Sequence, residues 1–256
     1  MMSKTIREND SVVLMDGKGN RILLTVESGI KKVKDLGVYD PGDLIGANYY
    51  QQITIGNKKF MIMAPSISDK ITAIERKAQI ILPKDGMFII FYCDIKSGDK
   101  VIEGGAGSGA LTILLANSVR PKGKIISYEK RDEFIKIAKK NLIRAGLNEH
   151  VNIVKKDVTE NIKEKNVDAV ILDIPNPWDA IDNAFCALKS GGHVASYSPT
   201  VNQVEKTVKK MRECGFSGIK TLETLQREMV VGERGVRPSF NVLGHTGYVS
   251  FARKVS

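Results

Sequence analysis

The stretch Asp99-Lys-Val-Ile-Glu103-Gly-Gly105-Ala-Gly107-Ser-Gly109 decides the fold. Val101 and Ile102 lead into an acid, three glycines follow at alternate positions, and residues 110–118 (ALTILLANS) are apolar at helical spacing. A strand, a glycine turn and a helix open a nucleotide-binding βαβ unit. Glycine suits such a turn because the backbone must bend sharply and let a ligand approach without Cβ atoms in the way. The helix start then offers unpaired N–H groups to a polar or anionic group. Gly105, Gly107 and Ala110 also satisfy the G-x-G-x-x-G/A pattern of dinucleotide enzymes, so the flanks must choose between ligands.

Downstream, strand and helix patterns alternate, which places the chain in the α/β class with an open, mostly parallel sheet. Residues 123–128 (GKIISY) read as a strand ending at Glu129, and residues 131–145 as a helix closed by Gly146. A strand at 151–154 precedes Asp157, and a fourth at 168–172 ends at Asp173. The pattern then predicts a helix over 178–188, a strand over 193–197 after Gly191-Gly192, and a helix over 201–214. That last helix carries Lys206, Lys209, Lys210 and Arg212 on exposed positions. Two final strands, 219–225 and 248–252, are joined by a segment too short for a helical crossover. The spacing therefore predicts an antiparallel hairpin with an extended arm.

Three acids fall where successive strands end, which is where open α/β sheets bind ligands. A carboxylate at Glu129 can take both hydroxyls of a ribose, and one at Asp157 can accept from an adenine amino group. Asp173, on the fourth strand, stands where a substrate would meet that ligand.

Upstream, residues 1–64 read as a small β-rich domain. Residues 12–15 and 21–26 flank the turn Asp16-Gly-Lys-Gly-Asn20, and residues 53–55 and 59–63 flank Gly56-Asn57. Residues 65–98 form a helical bridge, with Ser66 or Ser68 capping a helix that runs past Ile71 and Ile74 to Ala78, and a second helix over 87–91. The α/β domain then spans 99–256.

At 256 residues and 42% hydrophobic composition the chain can bury a sizeable core. No apolar run approaches the roughly 20 residues of a membrane helix, and the first ten residues are polar, unlike a signal peptide. Cys93, Cys186 and Cys214 are widely spaced and only three histidines are present, so no metal site is legible and a reducing, cytoplasmic setting is expected. The net charge of +10 suits a polyanionic partner, nucleic acid being the commonest.

The glycine motif headed by Glu103, the acids at successive strand ends and a terminal antiparallel hairpin together resemble class I S-adenosylmethionine methyltransferases. Around Asp173 the likeness narrows. Leu172-Asp173-Ile174-Pro175-Asn176-Pro177-Trp178 resembles the motif of tRNA adenine-N1 methyltransferases of the TrmI type. The segments 76–85 (RKAQIILPKD), Ser127-Tyr-Glu129, Tyr197-Ser-Pro-Thr with Gln203, Arg237-Pro238 and Gly244-His-Thr-Gly247 resemble the same family, in the same order. The resemblance implies a Rossmann-like seven-stranded methyltransferase sheet behind a small N-terminal β domain. It implies S-adenosylmethionine as cofactor, a T-loop adenine of tRNA (position 58, in some archaeal members also 57) as substrate, and a homotetramer. Asp173 and Tyr197 then take the catalytic roles. Glu103, Gly105, Gly107, Ser108, Gly109, Glu129, Asp157 and Asp173 hold the cofactor. Lys84, Tyr197, Arg234, Arg237 and His245 meet tRNA. In some relatives an aromatic residue precedes Pro83-Lys84-Asp85; here Leu82 stands there, and stacking falls to Tyr197 or Trp178. Another class I methyltransferase, of isoaspartyl or small-molecule type, would share the glycine motif but not the segment after Asp173. A non-catalytic tRNA-binding subunit would have an eroded motif, whereas every acid and glycine stands here.

Overall fold

The computed structural model describes residues 5–233 and 235–255. The chain divides into two compact units, one of Met1–Glu75 with Lys140–Asn148 and one of Arg76–Lys139 with Glu149–Ser256.

In the first unit, β1 (Ser11–Asp16) and β2 (Arg21–Thr25) form the expected hairpin. The turn holds because Asp16 Oδ1 accepts from the N–H groups of Lys18 and Asn20, each at 2.9 Å. A small hairpin, β3 (Lys31–Val33) with β4 (Gly37–Tyr39), follows. The strands β5 (Gln52–Ile55) and β6 (Lys58–Met63) complete a four-stranded antiparallel sheet of order β2-β1-β6-β5. Its alternating side chains Val12, Leu14, Leu24, Phe60 and Ile62 bury one face. Helix α1 (Ile67–Thr72) begins at a capping box, with Ser66 Oγ accepting from Asp69 N and Asp69 Oδ2 from Ser66 N.

The sequence pattern carried α1 on to Ala78, but it ends at Thr72. Beyond it the side-chain amide of Asn141 takes over the backbone of Glu75, accepting from its N–H and donating to its C=O, both at 3.0 Å. A backbone satisfied by a side chain has no further use for the helical ladder. The same unit receives the end of the later helix that carries Asn141, through Ser11 Oγ on the carbonyl of Arg144 and Lys70 Nζ on that of Ala145.

The second unit opens with α2 (Pro83–Tyr92), where Pro83 stands at the first turn and needs no hydrogen-bond acceptor. There follow β7 (Lys100–Gly104), α3 (Ala110–Val119), β8 (Lys124–Tyr128), α4 (Asp132–Ala145) and β9 (Val151–Val154). Next come β10 (Val167–Leu172), α5 (Ile181–Ala187), β11 (Leu188–Ser198), α6 (Val201–Glu213) and β12 (Ser217–Glu223). An exposed two-stranded arm, β13 (Met229–Gly232) with β14 (Gly235–Pro238), precedes β15 (Tyr248–Arg253).

The seven-stranded sheet has the order β12-β15-β11-β10-β7-β8-β9, with β15 antiparallel to both its neighbours. This is the sheet the family resemblance implies, and the connection at 226–247 carries the expected arm. Helices α5 and α6 cover one face, where Ile181, Ala184 and Met211 pack on Val170, Leu172 and Val194. The helix expected over 178–188 is shorter. Pro177 starts a single tight turn, Pro177–Ala180, before α5, and β11 already begins at Leu188.

Candidate active site

The carboxyl ends of β7, β8 and β10 are tied together beyond the last strand residues. Gly105 N–H donates to the carbonyl of Tyr128 at 2.8 Å, and Asp173 N–H to that of Gly104 at 2.8 Å. Glu129 N–H reaches the carbonyl of Val154 at 3.1 Å. These bonds set Glu129 and Asp173 on either side of the glycine turn. They line a cleft of about 150 Å³ with Gly105, Asp157, Ile174 and Asn176.

The three glycines do different work. Gly105 has φ +93°, and a Cβ there would overlap the carbonyl oxygen of Asp173. Its bareness lets two strand ends close on each other. Gly107, with φ +50°, faces open space, and Gly109, with φ +85°, is the residue before α3, packed near the Ala138 backbone.

Glu129 is buried and fully engaged. Its Oε1 accepts from Arg131 N at 3.0 Å and Arg131 Nε at 2.9 Å, and its Oε2 from Gly107 N at 3.1 Å. Burial pushes this carboxyl up, but the bonds from Arg131 and the Gly107 N–H outweigh it and hold the group below its ordinary range. Asp157 is likewise held low, first by Lys130 at 2.8 Å and also by Thr159. Asp173 goes the other way. Enclosure pushes its carboxyl up to about 7, against the pull of the Arg131 charge and with the help of Glu129. Three acids on adjoining strands thus have separate tasks, two fixed as anions and one poised near neutrality.

Glu103 lies beneath the turn and does not line the cleft. It is fully buried, its Oε2 accepting from Thr112 Oγ1 at 2.6 Å and Ser127 Oγ at 2.5 Å. Its Oε1 meets no donor, and burial pushes the carboxyl up to about 7. Ser108 is buried as well, its Oγ accepting from Lys77 N at 3.4 Å, and stands outside the cleft lining.

The residues expected to meet tRNA are dispersed. Lys84 does not present its ammonium to solvent. Nζ donates to Asp85, to the carbonyl of Thr224 and to Thr246 Oγ1, with 9% of the side chain exposed. All three protons are spent inside the protein, which removes Lys84 from the phosphate-binding set. Tyr197 is buried at the end of β11, its hydroxyl donating to the Thr246 carbonyl at 2.5 Å. His245 is clasped between Glu223 Oε1 at 2.6 Å and the carbonyl of Pro199 at 2.8 Å. Arg237 lies on the exposed arm with its guanidinium over Phe240, and Arg234 falls outside the described residues. Trp178 carries the Lys206 ammonium over its ring, 4.8 Å from the centroid. Leu82 is the cap residue of α2 and donates no side-chain bond.

Sequence reasoning missed Arg131 and Lys130, the cations that hold the two cleft anions. Their signal was present in the run Glu129-Lys-Arg131 directly after a strand. It also missed the contact of Asp85 with Thr246, which lie 161 positions apart in two separate segments.

Comparison with known proteins bears on the chain as a whole. Residues 60–237 match the family described as the tRNA methyltransferase complex GCD14 subunit. The chain is 38% identical to the tRNA (adenine(57)-N(1)/adenine(58)-N(1))-methyltransferase TrmI of Methanocaldococcus jannaschii, over 94% of each protein. Among solved structures it is similar to the tRNA (m1A58) methyltransferase TrmI of Aquifex aeolicus, with a TM-score of 0.79 and 27% identity over 99% of this chain and 100% of that one. It is also similar to a SAM-dependent O-methyltransferase of Thermotoga maritima, with a TM-score of 0.87 and 38% identity over 98% and 95%. The Rossmann-like sheet, the glycine turn and the extent of these matches lead to one conclusion: the chain belongs to the GCD14 family of tRNA methyltransferase subunits.

Proposed function

We propose that this chain transfers a methyl group from S-adenosylmethionine to N1 of adenine 58 in the T-loop of tRNA. The observation that carries the reading is Asp173, an acid poised near neutrality at the end of β10. It opens on the cleft in which Glu129 and Asp157 stand as fixed anions.

The cleft fits the cofactor on two counts. Glu129 and Asp157 offer carboxylate oxygens suited to ribose hydroxyls and an adenine amine. Gly107 leaves its flank bare. When bound, S-adenosylmethionine supplies an electrophilic methyl group on a sulfonium. Adenine N1 is a neutral nucleophile that becomes cationic as the methyl group arrives. The Asp173 carboxylate, hydrogen-bonded to the exocyclic amine of the base, counters that charge and orients the ring. As N1 is alkylated the amine becomes more acidic, and Asp173 takes its proton. Placement of the two reactants supplies the rest of the rate. An adenine stacked within folded tRNA must be flipped out to reach the cleft. The net charge of +10 supports RNA binding through phosphate contacts.

We further propose a homotetramer in the cytoplasm. Its support is the β13–β14 arm and the residues just after it, where Val231, Val236 and Phe240 are 75%, 63% and 87% exposed. Among the described residues no helix is long and apolar enough to cross a membrane.

The test is methyl transfer from labelled S-adenosylmethionine to an unmodified tRNA transcript, followed by nucleoside analysis. N1-methyladenosine at position 58 is expected, and label at 57 as well would extend the specificity. The Thermotoga neighbour's name favours a second reading, methylation of an oxygen. Label recovered on a ribose or small-molecule hydroxyl would establish that reading and overturn ours.

A further inference from the structure

Three consecutive residues ahead of β15 each grip a different element at the carboxyl edge of the sheet. His245 holds Glu223 of β12 and the carbonyl of Pro199. Thr246 Oγ1 accepts from Lys84 Nζ at 2.7 Å and donates to Asp85 Oδ2 at 2.9 Å, both at the start of α2. A Cβ on Gly247 would overlap the Tyr197 ring, so bare backbone lies flat against it. The Thr246 carbonyl accepts a hydrogen bond from the Tyr197 hydroxyl at 2.5 Å. Tyr197 follows Ser196, which is in register with Leu172, so the ring and Asp173 stand at adjoining strand ends.

The Lys84–Asp85 pair at the base of this strap is almost wholly buried, with 9% and 1% of the side chains exposed. Burying two charges is costly and stabilises a fold little compared with apolar residues of the same size. What the pair supplies is fixed geometry. The three ammonium protons and the Thr246 hydroxyl all have partners, and the Thr246 carbonyl is left with one direction to point, at Tyr197 Oη.

Resting on the function proposed above, we propose that Thr246, braced by Lys84 and Asp85, is a positioning residue that holds Tyr197 where the target adenine enters beside Asp173. Thr246 acts through Tyr197 and touches no reactant. Removing its hydroxyl frees the strap, and the ring drifts while the cofactor cleft on the other side of Asp173 is undisturbed.

The experiment measures tRNA methylation by the full chain in T246V, T246S, Y197F and T246V/Y197F, with affinity for S-adenosylhomocysteine measured by calorimetry. Thr246→Val is expected to lower kcat about tenfold, a small ring displacement being costly in a positioned reaction. Cofactor affinity and KM for tRNA should stay within about threefold, since neither depends on the ring's exact setting. Thr246→Ser should restore at least half of kcat. In the Tyr197→Phe background, where the bond to the Thr246 carbonyl is already gone, Thr246→Val should cost less than twofold more. Wild-type kcat in T246V, or a further tenfold loss in the double variant, overturns the inference. If T246V does not fold, Y197F decides alone, with a loss of about tenfold expected and wild-type kcat overturning. A wild-type chain that transfers nothing to tRNA fails the functional reading instead, which a wild-type rate in the variants would leave standing.

Discussion

The two sides of Asp173 are built on opposite plans. On the cofactor side, the parts lie close along the chain. Gly105, Gly107 and Glu129 fall within 25 residues, and Arg131 reaches Glu129 across two positions. On the side proposed for the substrate, Tyr197 is held by Thr246, and Thr246 by Lys84 and Asp85, with separations of 49, 162 and 161. A ligand shared by a whole fold class can be met by one supersecondary motif. A substrate particular to one family is met by residues that only the closed sheet brings together. The difference teaches where to look for each function, in local spacing for the cofactor and in long-range packing for specificity.

The largest expected break in this comparison comes at the seam between the sides. Gly105→Ala places a side chain at φ +93° against the Asp173 carbonyl. It should destabilise the fold by more than about 3 kcal/mol, read by urea unfolding. Gly107→Ala has room around it, and should leave the melting temperature within a few degrees while weakening cofactor binding. Equal loss of stability in both variants would erase the distinction drawn between the two glycines.

Next in size is Asp173→Asn, which should lower kcat by about 10²–10³-fold with cofactor affinity retained, measured by single-turnover methylation and calorimetry. The same residue sets the pH dependence. Its folded pKa is raised, so it is protonated below about 7 and a carboxylate above. The carboxylate is the active form, so kcat/KM should rise with pH through about 7 and flatten in Asp173→Asn. A profile unchanged by the substitution would assign the titration elsewhere.

Glu129→Ala comes third. Losing a pair of charge-assisted acceptors should weaken S-adenosylmethionine binding by about tenfold to a hundredfold, and should cost about 1–3 kcal/mol of stability because Gly107 N–H and Arg131 lose their acceptor. Unchanged affinity would remove Glu129 from the cofactor side. The smallest effect is expected from Arg237→Ala on the exposed arm, a rise of about threefold in KM for tRNA and a shallower salt dependence, with kcat unchanged. A loss of cofactor affinity there would contradict the separation of the two sides.

Much of the cleft lining, Gly105, Glu129, Asp157 and Asp173, was legible because its signals are local. Alternating strand and helix periods, three glycines after an acid and further acids at strand ends are all readable within windows of a dozen residues. The end of α1 was not, since Asn141, 66 positions away, takes over the Glu75 backbone. Nor was the burial of Lys84. A lysine beside an aspartate before an apolar helix reads as a solvated pair until Thr224 and Thr246 close over it.

The sequence by itself determined the class of sheet, the glycine turn between its strand and helix, and the family. Hydrophobic period and glycine spacing act over short stretches and survive in any arrangement of the rest. Only the tertiary structure decided which charges face a ligand. Glu103 went beneath the turn and Lys84 into the strap, and the enclosure of Asp173 raised its pKa to about 7. The physical reason is that burial, hydrogen-bond partners and the cost of an unpaired charge belong to a site's whole surroundings, and those surroundings are drawn from distant parts of the chain.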